Sequence, residues 1–317
     1  MCLVALALDQ NRRFPLVIAT NRDELYSRPT ARLAWWTPPK GGPAILGGRD
    51  LKAGGTWLGL TTAGRLGLVT NVRDPSRNDP SAPSRGGIVG NWLAEDEAPD
   101  RFWMRTALSG YNGFNLIAAD FHRGECFWAS NRAPYPLRLD RGVYGLSNSL
   151  LDVPWPKVVA LKEALSDALE ECDSVDSLSV ALFAALANRR VADAADLPET
   201  GVPRDQEKAL SAAFIRTPNG LYGTRCSTLV VAERLQRGLV THVLERTYSA
   251  TDGLALLRRS TLRNWPPRYD PSPPGEEQAP ATQEAVHEAE LPHEASVPPP
   301  RKRTRVRSLL KPTGSHR

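Results

Sequence analysis

The sequence has little of what metal centres and disulfide frameworks require. Its 317 residues include only five histidines and four cysteines. The cysteines are far apart and show none of the C-x-x-C spacing that metal-binding pairs use. They are Cys2, Cys126, Cys172 and Cys226. We therefore expect no metal site, no resident cofactor and no disulfide framework in this chain.

Histidine is also scarce where catalysis would need it. Three of the five histidines lie in the polar C-terminal stretch, which leaves His122 and His242 in the apolar body. His122 falls at a predicted turn and His242 in a strand pattern, and neither has a catalytic context. A catalytic cysteine–histidine pair is thus poorly supplied.

Long apolar runs are absent as well. No run is long enough to cross a bilayer, so we predict no transmembrane segment. The N-terminal apolar run stops at Asp9 and lacks the basic residues that open a signal peptide. We interpret it as a buried first strand and expect a cytoplasmic protein.

The formal net charge is +5, but the excess is unevenly placed. A basic cluster occupies residues 301–307, whereas elsewhere arginine is interspersed with aspartate and glutamate, as on an ordinary solvated surface. We expect no nucleic-acid partner. Residues 266–317 are proline-rich, then acidic, then basic, and cannot bury enough apolar surface to offset their ordering entropy. We therefore predict one folded domain, 1–265, and a disordered tail, 266–317.

The body mixes strand-like and helical patterns. Helices are predicted at 86–93, 155–171 and 174–187, the last opened by Ser174 and Asp176 as capping residues. Strands are predicted at 2–8, 15–21, 56–61, 66–71, 114–120, 125–130, 142–146, 227–233 and 239–246. Strands before, between and after helices indicate an α+β domain whose sheets are covered by helices.

Cys2 offers the clearest chemistry. Initiator methionine is generally removed when the second residue is small, and Cys2 would then carry both a thiol and a free α-amine. The ordinary pKa of an α-amine is about 7.7–8.0, so this amine can accept the thiol proton near neutral pH. One residue would serve as nucleophile and base. A buried, inert cysteine in a first strand is the alternative interpretation.

Asp23 belongs to the charged segment Asn21–Glu24, which follows the second apolar run. Because residues 9–13 have turn composition, we predict a hairpin that brings the end of the second strand beside the start of the first. Asp23 would then lie near Cys2 and orient its amine or thiol. A plain solvated turn is the alternative.

Three further polar residues follow apolar segments. Asn71 ends a strand pattern, and its amide could donate to a developing oxyanion. Asn148 and Arg225 have similar settings, in Gly145–Ser149 and Tyr222–Thr228. Each alone is equally consistent with a residue that caps a turn.

Together these segments resemble the NRDE family, also called the Transport and Golgi organization 2 family. The resemblance covers roughly residues 1–262 and rests on ordered motifs. These are Met1-Cys2, Asn21-Arg22-Asp23-Glu24, Gly54-Gly55-Thr56-Trp57-Leu58-Gly59, Leu68-Val69-Thr70-Asn71, Ser84-Arg85-Gly86, Gly145-Leu146-Ser147-Asn148 and Tyr222-Gly223-Thr224-Arg225.

That family in turn resembles N-terminal-nucleophile (Ntn) cysteine hydrolases such as penicillin V acylase and bile salt hydrolase. The resemblance implies an αββα four-layer sandwich and cleavage of non-peptide amides through a thioester. It also implies the nucleophile, the carboxylate that orients its amine, two asparagines of which one is an oxyanion donor, and a late arginine beside the nucleophile. These are Cys2, Asp23, Asn71 and Asn148, and Arg225.

One position departs from those acylases, which carry arginine three residues before the aspartate. Thr20 stands there in this sequence, and Arg22 would share its face of a strand. We predict that Asn21 and Arg22 contact the substrate.

Three functions follow from the resemblance. The first is hydrolysis of small amides or related acyl compounds. The second is non-catalytic carriage of haem or another hydrophobic metabolite, since the family is associated with haem trafficking. The third is an organising role of the secretory-pathway type, with the tail or exposed tryptophans as partner sites.

Overall fold

Two antiparallel sheets stacked face to face form the body of the protein. The computed structural model describes residues 2–236, 238–249, 255–267 and, for the backbone, 287–291. We call the sheets sheet A and sheet B, and each of the two has seven strands within the described residues.

The strands are bounded as follows. Sheet A contains β1 Cys2–Leu8, β2 Leu16–Leu25, β10 Gly142–Leu146, β11 Tyr222–Leu235, β12 Gly238–Thr247, β13 Ala255–Arg263 and β14 His287–Leu291. Sheet B contains β3 Thr30–Trp36, β4 Ile45–Asp50, β5 Leu58–Thr61, β6 Arg65–Asn71, β7 Phe114–Asp120, β8 Glu125–Ser130 and β9 Leu137–Arg138. The strand order of sheet A is β10-β1-β2-β11-β12-β13-β14, and sheet B runs from β3 to β9 in sequence order.

Helices cover the outer face of each sheet. They are α1 Gly86–Ala94, α2 Pro99–Ala107, α3 Pro156–Glu171, α4 Val175–Leu186 and α5 Arg204–Ala209. Helix α1 packs on β5 and β6 of sheet B, whereas α3 and α4 pack on β1, β2, β10 and β11 of sheet A. The predicted four-layer αββα sandwich is confirmed.

Strand β1 shows why a continuous apolar run folds into the middle of this stack. Val4, Leu6 and Leu8 belong to the core between the sheets, while Leu3 and the intervening alanines belong to the core beneath the helices. A strand buried on both faces has no need of polar alternation. Each fully buried leucine of this kind stabilises the fold by about 1.5–3 kcal/mol.

The predicted helices are all present, and α4 begins with Ser174 in a capping box closed by Ser177. Strands β3, β4, β9 and β13 and helices α2 and α5 were not predicted. Within the predicted tail, β14 pairs antiparallel with β13. That strand departs from a tail without structure. Residues 268–286 and 292–317 lie outside the described residues, where disorder stays a prediction.

The described helices offer no membrane crossing, because none of them is both long and apolar enough to span a bilayer.

Candidate functional site

The β1–β2 hairpin brings the first residue of β1 beside the charged end of β2. Cys2 stands opposite Arg22 in the antiparallel register, and Asp23 follows one position beyond. The register of β2 with β11 places Cys226 on the other side of Arg22. The predicted proximity of Asp23 to Cys2 is therefore confirmed, although their roles stay predictions.

Cys2 lies in the wall of a cavity of about 500 Å³, which we call the Cys2 cavity. Both sheets and residues 78–86 enclose it. The lining includes four of the predicted site residues, namely Cys2, Arg22, Asp23 and Asn71. The structure thus collects chemistry-bearing side chains from β1, β2 and β6 around one space.

The Cys2 thiol is held in a buried position. The residue is 7% exposed, and its carbonyl oxygen accepts a hydrogen bond from Ser147 Oγ at 3.0 Å. Burial raises the pKa of the thiol, because a thiolate loses more solvation than a thiol. At neutral pH the thiol is therefore protonated, and a nucleophilic role requires a base beside it.

Asp23 is fixed by groups on β11. Thr224 Oγ1 donates to the carboxylate at 2.7 Å, and the Tyr222 hydroxyl donates to the Asp23 carbonyl oxygen at 2.9 Å. Burial raises the pKa of the Asp23 carboxyl, and the Thr224 hydrogen bond opposes that rise. The strand register and two hydrogen bonds therefore determine where this carboxyl lies.

Arg22 supplies a cation to the cavity at the position next to the nucleophile. Its guanidinium carbon lies 4.3 Å from the ring centroid of Trp57, and its Nη1 donates to Thr30 Oγ1 at 3.2 Å. Gly48 makes room for this stack, since a Cβ there would lie 2.3 Å from the Trp57 ring. Thr20 is buried and does not line the cavity, so Arg22 provides the guanidinium on this face of β2.

The two predicted asparagines occupy different positions. Asn71 lines the Cys2 cavity at the end of β6. Asn148 does not line it and instead donates from Nδ2 to the Asn71 carbonyl oxygen at 2.9 Å. Asn148 thus fixes the backbone of Asn71, which makes Asn71 the candidate oxyanion donor.

Arg225 lies on β11, which β2 separates from β1, and it does not line the Cys2 cavity; its predicted role stays a prediction. The β2–β11 register shifts between Thr224 and Cys226, so a bulge places Arg225 out of the regular alternation. Its Nη1 donates to the carbonyl oxygens of Leu25 and Arg28, at 2.8 and 3.0 Å. Arg225 lines a neighbouring cavity of about 230 Å³ and holds the turn after β2.

Asn21 also does not line the Cys2 cavity, and its contact with the substrate stays a prediction. Its Nδ2 donates to the carbonyl oxygens of Leu186 and Ala213, at 2.8 and 2.9 Å, and its Oδ1 accepts from Ser227 Oγ. Because residues alternate along a strand, Asn21 faces the helices while Arg22 faces the cavity. Asn21 connects β2 to the helical layer.

Sequence reasoning missed several residues of the site. Arg85 lines the Cys2 cavity, and its Nη1 donates to the Gly113 carbonyl oxygen at 2.9 Å. Trp57 and Arg85 both belong to the sequence motifs, but neither was predicted to line the cavity of Cys2; Trp57 was considered only as an exposed partner site, and it is buried. The motifs meet in space: a Cβ at Gly55 would lie 2.4 Å from the Gly86 backbone, so this close approach requires glycine.

Metal and haem ligands are sparse. No group of three or more His, Cys, Asp or Glu side chains that could hold a metal ion occurs in the part of the chain that the structure describes. Neither His122 nor His242 lines the Cys2 cavity; Arg259 and Glu233 contact the His242 ring. Haem as a carried ligand stays a prediction.

Two solved structures resemble the chain at low sequence identity. One is an N-acylethanolamine-hydrolyzing acid amidase orthologue from Caenorhabditis elegans, 13% identical with a TM-score of 0.35, covering 73% of this chain and 92% of the other. Another is the C2A mutant of conjugated bile acid hydrolase from Clostridium perfringens, 12% identical with a TM-score of 0.39, covering 78% and 89%.

Sequence relatives are much more similar. The Transport and Golgi organization 2 homologue of Mus musculus is 32% identical over 253 residues, which are 74% of this chain and 89% of the relative. The Homo sapiens homologue is 34% identical over 256 residues, with the same coverage. The sequence profile of the family described as Transport and Golgi organisation 2 matches residues 1–250. The chain therefore belongs to the Transport and Golgi organisation 2 family.

Proposed function

We propose that the chain is an N-terminal-nucleophile cysteine hydrolase that cleaves small non-peptide amides or related acyl compounds. The observation that carries this proposal is the position of Cys2. It begins a strand, lies in the wall of a cavity of about 500 Å³, and shares that wall with Arg22, Asp23 and Asn71. These are a nucleophile, a cation, a carboxylate and an amide donor around one space.

The reaction requires removal of Met1, so that Cys2 carries a free α-amine. Since burial keeps the thiol protonated, the amine takes the thiol proton as sulfur attacks the acyl carbon. The Asn71 amide donates to the oxyanion that forms. The resulting ammonium then gives its proton to the leaving nitrogen, the C–N bond breaks, and a thioester remains on Cys2.

Water completes the cycle. The α-amine accepts a proton as the water oxygen attacks the thioester carbon, and the C–S bond then breaks. Sulfur takes the proton back from the ammonium, which restores the thiol and the free amine. Asp23 orients the amine throughout, and Arg22 attracts electron-rich oxygens of the substrate into the cavity.

The first test combines intact mass with thiol labelling. The intact mass of the purified protein is measured before and after brief treatment with iodoacetamide near neutral pH, and the modified residue is mapped. We expect loss of Met1 and selective, fast modification of Cys2. Cys226, a buried thiol on the strand beyond β2, is the internal control: burial raises its pKa well above the ordinary value and, unlike Cys2, it carries no α-amine to accept its proton, so it should react far more slowly.

Turnover supplies the second arm of the test. With any amide substrate found by screening, Cys2→Ala should lower kcat by about 10⁴-fold or more, because no thioester can form, while Cys226→Ala keeps most activity. Retained Met1, or unchanged turnover in the Cys2→Ala variant, would overturn the proposed mechanism.

The cytoplasm is the compartment we propose for this activity. It is supported by the four cysteines, which are all free thiols, as is usual in a reducing compartment, and cell fractionation with an antibody to the protein tests it. Recovery in a secreted or membrane fraction would contradict it.

A further inference from the structure

A lysine lies buried on the helix side of sheet A, behind the Cys2 cavity. Lys157, in the first turn of α3, is 5% exposed, although lysine is rarely buried without a partner. Its Nζ donates to the Leu210 carbonyl oxygen at 2.8 Å. It also lines a separate cavity of about 340 Å³ between α3 and residues 185–213. An ammonium has two further N–H donors, so the charged groups around it determine how well its charge is compensated.

Titratable groups from four places in the fold contribute to the electrostatic environment of the Lys157 ammonium. They are Asp23 on β2, Cys2 on β1, Arg73 after β6 and Glu207 on α5. At the outer cavity, Arg190, Asp193 and Asp196 add further charge.

Two cations and two carboxyl groups are buried behind sheet A. Arg73 and Glu207 form a buried ion pair, in which both side chains are less than one tenth exposed. Their charges offset each other, which leaves the cation of Lys157 and the carboxyl of Asp23. Asp23 is two residues from Asn21 on β2 and therefore shares its face towards the helices, the side on which Lys157 is buried. A buried carboxylate is costly unless an opposite charge compensates it. Lys157 is thus placed to compensate Asp23.

We propose that Lys157 is a positioning residue for the Cys2 nucleophile: its ammonium keeps the Asp23 carboxylate ionised, so that Asp23 can hold the amine of the processed N-terminus. This inference rests on the proposed function. Lys157 touches no substrate in this scheme and acts only through Asp23.

The directions of the titrations agree with this arrangement. Burial raises the pKa of Asp23, and the Lys157 cation opposes that rise. Burial lowers the pKa of Lys157 to about 8, so the cation is mostly present at neutral pH. Without it, Asp23 would take up a proton at a higher pH, and a neutral carboxylic acid would no longer attract an ammonium.

The test follows the rate of Cys2 alkylation by iodoacetamide against pH, in protein that has lost Met1. Lys157→Gln removes the cation but keeps a donor for the Leu210 carbonyl. We expect the acid limb of its profile to move up by about one pH unit or more, since an opposite charge nearby shifts a carboxyl pKa by that much. Lys157→Arg, which retains a cation, should restore the wild-type limb.

A double substitution separates action through Asp23 from a direct effect on the thiol. In an Asp23→Asn background, Lys157→Gln should shift the limb no further. Lys162→Met serves as the matched control, because Lys162 lies on the same helix and binds Asp152 at 2.6 Å. A purely structural lysine would change the thermal midpoint and leave the limb in place.

The outcomes also distinguish the inference from the proposed function. Fast, selective labelling of wild-type Cys2 with an unmoved limb in Lys157→Gln would overturn the inference and leave the hydrolase proposal standing. A further shift in the Asp23→Asn background would equally overturn it. If wild-type Cys2 does not label selectively, the proposed function fails first. If Lys157→Gln does not fold, Lys157→Arg decides. The inference is supported if the acid limb of Lys157→Arg coincides with that of wild type, and if the limb of the Lys157→Arg, Asp23→Asn double variant coincides with that of Asp23→Asn. Any other pattern overturns it.

Discussion

The two faces of sheet A differ sharply at the end where β1 begins. On the face towards sheet B, Cys2 and Arg22 open onto a cavity of about 500 Å³. On the face towards the helices, Asn21 is 0% exposed and its amide is engaged by the backbone and Ser227. The pleat thus directs Arg22 to the cavity and its neighbour Asn21 to the helical layer. Polarity and burial by themselves would not have separated them.

The largest expected effect comes from removing the amide that sheet B contributes to the Cys2 cavity. Asn71→Ala should lower kcat by about 10²–10³-fold, because one donor to the oxyanion is lost. Its thermal midpoint should change little. Steady-state kinetics and thermal unfolding provide the two measurements.

Asn148→Ala is the matched control for Asn71→Ala. Its side chain bonds the Asn71 carbonyl and does not line the cavity, so removal should cost about 1–3 kcal/mol of stability and less activity than Asn71→Ala. Equal losses of kcat in both variants would assign the two asparagines one shared role, against this interpretation.

A substitution on the face of sheet A towards the helices should lower the stability of the protein. Asn21→Ala removes hydrogen bonds to two buried carbonyls and should lower the free energy of unfolding by about 1–3 kcal/mol, since those groups lose their partner. Urea unfolding checks this. Asn91→Ala, on the exposed face of α1, should stay within about 0.5 kcal/mol. A stable Asn21→Ala protein with strongly weakened substrate binding would return Asn21 to the substrate site.

The smallest expected effect concerns Glu245, a buried carboxylate between the sheets that accepts from the Leu33 amide at 2.7 Å. Burial raises its pKa. A raised folded-state pKa stabilises the protein at low pH, and this contribution is lost as pH rises from about 4 towards neutrality. Glu245→Gln should therefore lose less stability than wild type over that range in urea unfolding.

Glu163→Gln, on the exposed surface of α3, is the control for Glu245→Gln and should keep the wild-type slope. If wild type and Glu245→Gln lose stability equally with rising pH, the carboxyl is not shifted as described.

Much of sheet A could be predicted because its strands are apolar runs separated by recognisable turns. The hairpin of β1 and β2 is the clearest example, and it alone brought Asp23 to Cys2. Strand β4 was missed because Gly47 and Gly48 have turn composition. In the structure they admit the Leu58 backbone and the Trp57 ring, which no local pattern reveals.

The parts of the site that the sequence could not give have equally specific causes. The orientation of Arg225 could not be predicted because a bulge in β11 interrupts the alternation on which strand predictions depend. Lys157 was not considered in the sequence analysis, although it shares helical spacing with buried Leu161 and Leu165. A lysine in an apolar stripe was the available signal for the buried cluster.

The stack of Arg22 on Trp57 also gives the site an intrinsic fluorescence signal. Trp57 lines both the Cys2 cavity and its neighbour, so a small molecule entering either would alter the charge and water around the indole. The sequence has eight tryptophans, and subtraction of the Trp57→Phe spectrum isolates this emission. The protein therefore carries an optical reporter with which compound collections can be screened before any product assay exists.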